Sequence, residues 1–326
     1  MERPLVSIIV PVYNVEDYLE RGLNSIRAQT WNRLEVWLAN DASTDGSLAM
    51  CRRFEAEDSR FHVLDLPHGG VSAARNAAME RARGKYLQFM DGDDLLTPDA
   101  TETLVRTAEA TGADLTVAHF YRVSGERCSP RGHIKEERVI TRGEFAQEMC
   151  KAPANFYYGV LWNKLYRRSI VAAEGVRCPE ELSWCEDFLF NLEYLRHIRL
   201  AATVPKPIYY YIKREDSLVM SRTTLRDTIE MKRTTFACYK RLYQALDLYE
   251  KQKVQIYGYL VSSATDGMSL PELPKSLRNI LPERGTALVR THPEKRTGKR
   301  LEVHTETHME KYPRKRKSYF HRMFWK

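Results

Sequence analysis

The chain has 326 residues, of which 43% are hydrophobic and 29% are charged, a composition typical of folded globular proteins. No apolar run approaches the ~18–20 residues that span a bilayer, and the N-terminal MERPLVSIIVPVY lacks a signal-peptide cleavage site. We therefore expect a cytoplasmic protein. Its six cysteines form neither a C-x-x-C pair nor a zinc-ligand spacing, so we expect them to be reduced.

The net charge of +8 is unevenly distributed along the chain. Residues 284–326 carry 13 Lys/Arg and 4 Glu, so the remaining 283 residues have a net charge of only −1. A neutral body argues against a nucleic-acid surface. Residues 311–326 mix seven basic residues with aromatic ones, which favours either peripheral contact with an anionic membrane or a disordered end, and fits RNA less well.

Strands and helices alternate in the first third of the chain. Continuous apolar, β-branched runs predict buried strands, and apolar residues at helical spacing predict the helices between them. The predicted strands are 5–12, 34–39, 61–66 and 85–90, and the predicted helices are 15–29, 44–57 and 71–83. We expect Gly84 to cap the third helix. This order predicts an α/β fold with a Rossmann-like, mostly parallel sheet flanked by helices.

The pattern is less regular after residue 98. It predicts a helix to about residue 110, a strand at 113–123, a polar loop at 124–138, helices at 142–150 and 184–196, a strand at 208–212, and helical structure over 224–267. We divide the chain into an α/β domain (1–220, with halves 1–98 and 99–220), a C-terminal helical extension (221–283) and a basic tail (284–326).

Four polar segments follow the predicted strands of the first half: PVYN (11–14), NDASTD (40–45), HGGVSAARN (68–76) and MDGDD (90–94). Ligands of open parallel sheets bind beyond the carboxyl ends of the strands, so these segments are expected to share one crevice. Asp41 is suited to accept hydrogen bonds from a base or a ribose. Ser43 or Thr44 is expected to cap the following helix, and that capping role alone also explains the segment.

The Gly69-Gly70 pair precedes a predicted helix, where backbone amides favour phosphate. Arg75 and Asn76 fall in its first turns and are placed to reach a diphosphate, although an ordinary strand-to-helix turn explains the glycines equally well. In MDGDD, the three acids Asp91, Asp93 and Asp94 exceed what a turn needs. A hard divalent cation, Mn²⁺ or Mg²⁺, explains them because it binds carboxylates together with substrate phosphates.

In this order and spacing, VSIIVPVYN, NDASTDGS, GVSAARNAA and MDGDD resemble the nucleotide-sugar-binding half of the family 2 glycosyltransferases, which have the GT-A fold. The resemblance is specific over residues 5–98. It continues more loosely through WNKLYRR, WCEDFLFNLEYL and YYYIKREDS to about residue 220. It implies an inverting enzyme that transfers a sugar from a UDP-sugar to a glycan or lipid-linked acceptor with the help of a divalent cation.

The resemblance also implies roles for individual residues. Asp93 would be the main metal ligand, with Asp91 on the ribose or the metal and Asp94 beside them. The other residues of the nucleotide-sugar site would be Pro11, Val12, Tyr13, Asn14, Asp41, Ser43, Arg75, Asn76 and Gly92. The loop that contacts acceptor and donor would contain Trp162, Asn163, Lys164 and Arg214.

The catalytic pair implied by the resemblance is Glu186-Asp187, with Asp187 as the base. Apolar neighbours in FLF (188–190) would shield its carboxylate and raise its basicity. A helix's first turn, capped by Ser183, is the structural alternative for the same two acids.

Two departures from the family pattern are Ala42, where glycine is frequent, and Glu215-Asp216, where a Gly-Ser step is usual. The Glu215-Asp216 departure affects the contacts that the C-terminal loop would make with the donor. A nucleotidyltransferase is a weaker alternative because the acidic PVYNVEDY stands where that class has a Gly-rich basic loop. A catalytically silent nucleotide-sugar-binding scaffold is the other alternative, against which the intact acids argue.

Overall fold

The structure is a computed structural model that describes residues 3–152, 155–181, 185–213 and 225–261. Within these ranges the chain forms a ten-stranded sheet with helices packed against it. No helix in this described part of the chain is both long and apolar enough to cross a bilayer. All six cysteines lie within the described residues, and none of them forms a disulfide.

Four parallel strands form the first half of the sheet, in the order β3-β2-β1-β4. The strands are β1 (Val6–Val12), β2 (Leu34–Asp41), β3 (Phe61–Leu66) and β4 (Tyr86–Phe89), and the helices are α1 (Glu16–Arg27), α2 (Ser47–Glu57) and α3 (Gly70–Arg81). Side chains of β1 are buried on both faces, because Ile8 packs in the cluster that contains Leu19 of α1 and Ile9 packs in the cluster that contains Ala74 of α3. The continuous apolar run of β1 follows from this double burial.

The second half of the sheet continues from β4 in the order β9-β6-β10-β5, with β7 paired to β6 and β8 paired to β10. Its strands are β5 (Leu95–Leu96), β6 (Leu115–Ser124), β7 (Arg127–Arg131), β8 (Arg138–Thr141), β9 (Lys164–Arg167) and β10 (Leu200–Ile212). Its helices are α4 (Ala100–Thr111), α5 (Arg142–Lys151), α6 (Phe156–Gly159), α7 (Arg168–Ala173), α8 (Glu186–Leu195), α9 (Leu225–Ala245) and α10 (Tyr249–Val261).

The predicted α/β class is confirmed, and the sheet is mixed. Four of the nine strand pairs in the described residues are parallel, three of them in the first half. Strand β9 runs antiparallel to both of its neighbours, β4 and β6. The predicted loop at 124–138 was wrong in part, because β7 pairs with β6 there. Its sequence, RCSPR, is polar and contains a proline, as edge strands do, and therefore lacks an apolar pattern.

The predicted cap at Gly84 was also wrong. Helix α3 ends at Arg81 with Ala82 as its C-cap, and the Gly84 amide donates to Ser7 Oγ at 2.9 Å and to Glu35 Oε1 at 3.1 Å. A Cβ on Gly84 would lie 2.6 Å from Ser7 Oγ. Glycine is needed here because the backbones approach closely, not because the helix ends.

The helical pattern over 224–267 corresponds to two helices, α9 and α10, separated by a turn in which Asp247 has φ +54°. Helix α9 packs on the second half of the sheet domain: the Tyr239 ring lies 5.2 Å from that of Phe188, and the Tyr243 hydroxyl donates to the Ala146 carbonyl at 2.5 Å. Residues 262–326, with the basic tail and its predicted membrane contact, lie outside the described residues.

Candidate active site

The segments after β1 and β2 are joined by hydrogen bonds. Asn14, in the left-handed region with φ +49°, donates its amide to Ser43 Oγ at 3.2 Å. Its side-chain Oδ1 accepts the Thr44 amide at 2.8 Å. PVYN and NDASTD, predicted to share a crevice, therefore form one connected rim at the carboxyl ends of β1 and β2.

The predicted cap of α2 at Ser43 or Thr44 was wrong by a few residues. Helix α2 begins at Ser47, whose amide donates to Asp45 Oδ1 at 3.0 Å, while Asp45 Oδ2 accepts the Glu16 amide at 3.1 Å. Although burial acts to raise it, hydrogen bonds from Ser47 and Glu16 hold the pKa of Asp45 below its ordinary value. Ser43 and Thr44 are bound to Asn14 instead, and the N-cap residue of α2 is Gly46.

Asp41 is buried and holds the turn that precedes α3. Its Oδ1 accepts the Gly69 amide at 2.7 Å and its Oδ2 accepts the Gly70 amide at 3.0 Å. The His68 Nδ1 lies 3.0 Å from the same Oδ2. Gly70 needs to be glycine because its φ is +85°. The carboxylate predicted to meet a base or ribose is thus also the anchor of the Gly-Gly turn.

Two exposed rings stand at this end of the site. Tyr13 stacks on His68 with ring centroids 4.9 Å apart and an angle of 29° between their planes, and Tyr13 is 40% exposed. His68 was not among the site residues expected from the sequence, although its position directly before Gly69-Gly70 was the available signal.

Ala42, one of the departures from the family pattern, has φ +55°, in a region that favours glycine. We expect Ala42→Gly to stabilise the protein by about 1 kcal/mol, because relief of backbone strain exceeds the entropy cost of glycine. Ala110→Gly, at an exposed position inside helix α4, is the matched control and should destabilise by about 1 kcal/mol. Urea unfolding of both variants checks the opposite signs, and destabilisation by Ala42→Gly would contradict the strain argument.

The MDGDD turn lies against the start of α1. Val12 is fully buried in the core. A Cβ on Gly92 would come within 3.4 Å of Val15 Cγ2 and 3.5 Å of the Pro11 carbonyl oxygen. Gly92 therefore lets the acidic turn approach PVYN closely, which brings Asp91 and Asp93 to the rim formed by the first two segments.

Asp94 has a structural role in this turn. It is 2% exposed, and its carboxylate accepts the Tyr209 hydroxyl and the Ile212 amide, each at 2.8 Å. Burial, followed by the neighbouring Asp93 and Asp91, raises the pKa of Asp94 well above its ordinary value. Asp94 thus fastens the end of β10 to the turn.

Arg75 joins the acidic turn to the predicted catalytic pair. Its guanidinium is 4% exposed and donates to Asp91 Oδ1 at 2.9 Å, Glu186 Oε1 at 2.9 Å and Asp187 Oδ1 at 2.6 Å. The sequence predicted a diphosphate contact, and the structure places the cation among three carboxylates. Asn76, predicted beside it, is buried and exchanges hydrogen bonds with the Cys178 backbone at 2.8 and 2.9 Å, which favours a structural role for its amide.

Asp187 lies in the first turn of α8, directly after Cys185-Glu186. Cys185 has φ +73°, a strained conformation for a non-glycine residue and one that clusters at functional sites. The Asp187 Oδ2 accepts the Leu161 amide at 3.2 Å. Ser183, the predicted cap, lies outside the described residues.

The environment of Asp187 makes its carboxylate more basic than usual. Burial raises its pKa to about 7, with Glu186 and Asp91 acting in the same direction, while Arg75 and the Leu161 amide oppose the shift. A carboxylate that titrates near neutral pH is matched to accept a proton from a hydroxyl. The arrangement can therefore supply a general base that is joined through Arg75 to the acidic turn.

The predicted acceptor and donor loop is largely buried. Trp162 is 3% exposed, Asn163 donates its amide to the Ala118 and Tyr157 carbonyls, and Lys164 is 1% exposed. The ammonium of Lys164 donates to Tyr157 O at 3.0 Å, Val160 O at 2.5 Å and Asn163 Oδ1 at 2.8 Å.

Lys164 and Asn163 hold the 157–160 backbone, which directly precedes Leu161. They therefore support indirectly the amide that binds Asp187. Burial lowers the pKa of Lys164 well below its ordinary value, while the nearby Asp187 opposes that shift. Arg214, the fourth predicted residue of this loop, lies outside the described residues.

Within the described ranges, no three His, Cys, Asp or Glu side chains are arranged to hold a metal by themselves. The predicted site does not require three, since Mg²⁺ and Mn²⁺ commonly bind one or two carboxylates plus substrate phosphates. Asp91 is 32% exposed and Asp93 is partly exposed in the same turn. The donor set therefore fits a cation that is completed by a diphosphate.

Comparisons with known proteins place the chain in a family. The family model described as "Glycosyl transferase family 2" matches residues 7–174. The uncharacterized glycosyltransferase EpsJ of Bacillus subtilis is 32% identical over 216 residues, which cover 66% of this chain and 63% of EpsJ. The poly(ribitol-phosphate) beta-N-acetylglucosaminyltransferase TarS of Staphylococcus aureus is 28% identical over 303 residues, 87% of this chain and 51% of TarS. The matched regions thus span about half to two-thirds of the length of these curated relatives.

Solved structures show the same fold. The crystal structure of S. aureus TarS residues 1–349 has a TM-score of 0.63 and 24% identity, covering 78% of this chain and 70% of that chain. The same TarS fragment in complex with UDP-GlcNAc has a TM-score of 0.62 and 22% identity, covering 78% and 79%. The GT-A fold expected from the sequence is thereby confirmed.

Proposed function

Because the chain belongs to the family 2 glycosyltransferases, we propose that it transfers a sugar from a UDP-sugar to a hydroxyl of a glycan or lipid-linked acceptor, with inversion at the anomeric carbon. The observation that carries the proposal is the single guanidinium of Arg75, which holds Asp91 of the acidic turn and Asp187 of α8 in one cluster. The acids of the proposed nucleotide-sugar site and a basic carboxylate thus share one cation.

The donor assignment is supported by the rim at the ends of β1 and β2. The exposed Tyr13 ring offers a stacking surface for a base. TarS, which shares the fold, has been crystallised with UDP-GlcNAc. We propose that this chain also uses a UDP-linked donor, and we do not assign the sugar.

In the proposed mechanism Asp187 accepts the proton of the acceptor hydroxyl. The hydroxyl oxygen attacks the anomeric carbon on the face opposite the diphosphate, the bond to the diphosphate oxygen breaks, and the configuration inverts. Arg75 and the Leu161 amide fix the two oxygens of Asp187, so the base is oriented before the acceptor arrives. No covalent enzyme intermediate is required.

We further propose that Asp93, with Asp91, holds Mn²⁺ or Mg²⁺ together with the diphosphate. When bound, such a cation neutralises the charge that develops on the departing nucleotide. The chain's own contribution is to place the two carboxylates, through the Gly92 approach to α1 and the Asp94 anchor to β10.

The donor site is tested by Asp93→Ala. We expect Mn²⁺-dependent UDP binding to weaken at least about tenfold, because a metal ligand is lost. Thermal shift titrations with UDP, with and without Mn²⁺, measure the change, since a ligand that binds the folded state raises its melting temperature. Asp17→Ala, an exposed acid in the first turn of α1, is the control. Equal UDP shifts in the Asp93→Ala variant and the wild type would refute the assignment.

Activity is tested by incubating the wild type with a panel of nucleotide sugars and Mn²⁺ and measuring UDP release. Release from one or more UDP-sugars supports a transferase, since water replaces the missing acceptor. A protein that binds UDP but releases none from any UDP-sugar would instead be a silent binding protein.

A further inference from the structure

A column of aromatic rings stands beside the proposed base. Trp162 stacks on Tyr209, with centroids 4.3 Å apart, and on Tyr211, with centroids 5.7 Å apart. Phe156, the first residue of α6, lies 5.8 Å from Tyr211. Trp162 and Tyr209 are buried, Tyr211 is partly buried, and Phe156 is 38% exposed. The column therefore runs from the core to the surface.

The base is joined to this column by the chain itself. Leu161, which donates to Asp187 Oδ2 at 3.2 Å, directly precedes Trp162. Asn191 of α8 donates to the Gly159 carbonyl at the end of α6 and to the Asp187 carbonyl, each at 2.8 Å. The helix that bears Phe156 and the helix that bears the base are thus held together.

The other side of the column is joined to the acidic turn. Tyr209 donates to Asp94 and accepts the Asp91 amide at 3.1 Å, while Ile212 donates its amide to Asp94. Tyr211 lies between these two anchors. Burial, with Asp94, Asp91 and Asp93 adding to it, raises the pKa of Tyr211, as expected for a phenol near these acids.

Phe156 and Tyr211 thus contact each other, one on the helix tied to α8 and the other on the strand tied to the acidic turn. An exposed phenylalanine is unexpected at such a polar location. Among the described side chains the exposed phenylalanine and tyrosine rings are Tyr13, Phe156, and Tyr257 on α10. Phe156 is in ring contact with the partly exposed Tyr211, with an angle of 43° between the ring planes, so these two rings together offer an apolar contact for a ligand.

We propose that Phe156 and Tyr211, here named the aromatic platform, bind a pyranose ring of the acceptor by stacking against its C–H face. This inference rests on the proposed function, since it takes Asp187 as the base. A stacked ring projects its hydroxyls sideways, so one of them reaches Asp187. An acyclic polyol such as ribitol has no flat apolar face, and the platform selects against it.

Saturation-transfer NMR tests the platform, with methyl β-D-glucopyranoside and methyl β-D-galactopyranoside as ring probes, ribitol as the acyclic probe, and UDP with Mn²⁺ present. We expect ring-proton signals from at least one pyranoside and none from ribitol. Phe156→Ala and Tyr211→Leu should each weaken pyranoside binding about fivefold, the loss expected for one aromatic contact. Tyr257→Ala, another exposed ring, is the matched control and should bind as the wild type does.

The UDP thermal shift separates this inference from the proposed function. If the wild type shows no UDP shift, the donor assignment fails by itself. If UDP shifts the wild type but no pyranoside binds, or both variants bind pyranosides as tightly as the wild type, the platform is refuted. Ribitol binding as strong as pyranoside binding refutes the ring preference. Weakened UDP-sugar binding in the variants refutes the acceptor assignment. Phe156 is exposed, so its variant is expected to fold.

Discussion

Replacing Asp187 with asparagine should reduce sugar transfer by about 10²–10⁴-fold while leaving UDP and metal binding intact, because the amide cannot accept the proton of the acceptor hydroxyl. The substitution preserves size, and the amide oxygen can still accept the Leu161 amide. Steady-state transfer or UDP-release assays give kcat, and UDP thermal shifts give donor binding. A loss confined to kcat is the result that a base predicts.

The matched control for this variant is Glu193→Gln on the same helix. Glu193 is partly exposed and pairs with Arg196 and His197 on the surface of α8. Its substitution should leave kcat unchanged. Wild-type turnover in the Asp187→Asn variant would remove Asp187 from the mechanism, and loss of UDP binding would show that it serves the donor site instead.

The pH dependence gives an independent check on Asp187. Its pKa of about 7 predicts that wild-type kcat rises with pH through the neutral range as the carboxylate becomes ionised. The same shift affects stability. A carboxyl group whose pKa is raised on folding contributes stability below its unfolded pKa and loses that contribution as the pH rises through about 7. The Asp187→Asn variant should lack this loss between pH 4 and pH 8.

The sequence predicted the first half of the fold well because β1, β2 and β4 are buried on both faces and α1 buries one apolar face. Strand β3 was predicted to the residue at Phe61–Leu66. The second half was harder to predict because several of its strands are short or irregular. Strand β9 has only four residues, and β10 extends from Leu200 through a proline-containing stretch that carries no apolar alternation at its centre.

The sequence identified the acids of the site but not how they are connected. Asp91 and Asp187 are 96 positions apart, and no local pattern reveals that Arg75 lies between them. The role of Asp94 was hidden for the same reason, because its partners Tyr209 and Ile212 come from β10. Such contacts follow from tertiary packing, which motif spacing within one segment does not encode.

Replacing Arg75 with methionine should lower both stability and activity. The variant leaves Asp91, Glu186 and Asp187 without their shared cation, and breaking a buried ion pair in this way typically costs about 3–5 kcal/mol. Arg75 also lowers the pKa of Asp187, so its loss should raise that pKa. The rising limb of kcat against pH should then move to higher pH. Urea unfolding and a pH series of kcat measure the two effects.

The controls for Arg75→Met separate charge from packing. Arg83→Met removes an arginine that is 72% exposed and pairs with Glu35, and it should have a much smaller effect on stability. Arg75→Lys keeps the charge but lacks the planar fork that reaches three carboxylates, so it should restore stability only in part.

Combining Arg75→Met with Glu186→Gln removes one of the three acidic side chains that have lost their shared cation. The double variant should therefore be more stable than Arg75→Met alone, because the repulsion between the remaining carboxylates is smaller. An unchanged pH profile in Arg75→Met would mean that the guanidinium does not act on Asp187. If the double variant were less stable, Glu186 would be stabilising the site by itself. A shifted profile with partial recovery would show that one arginine sets both the integrity of the acidic cluster and the basicity of Asp187.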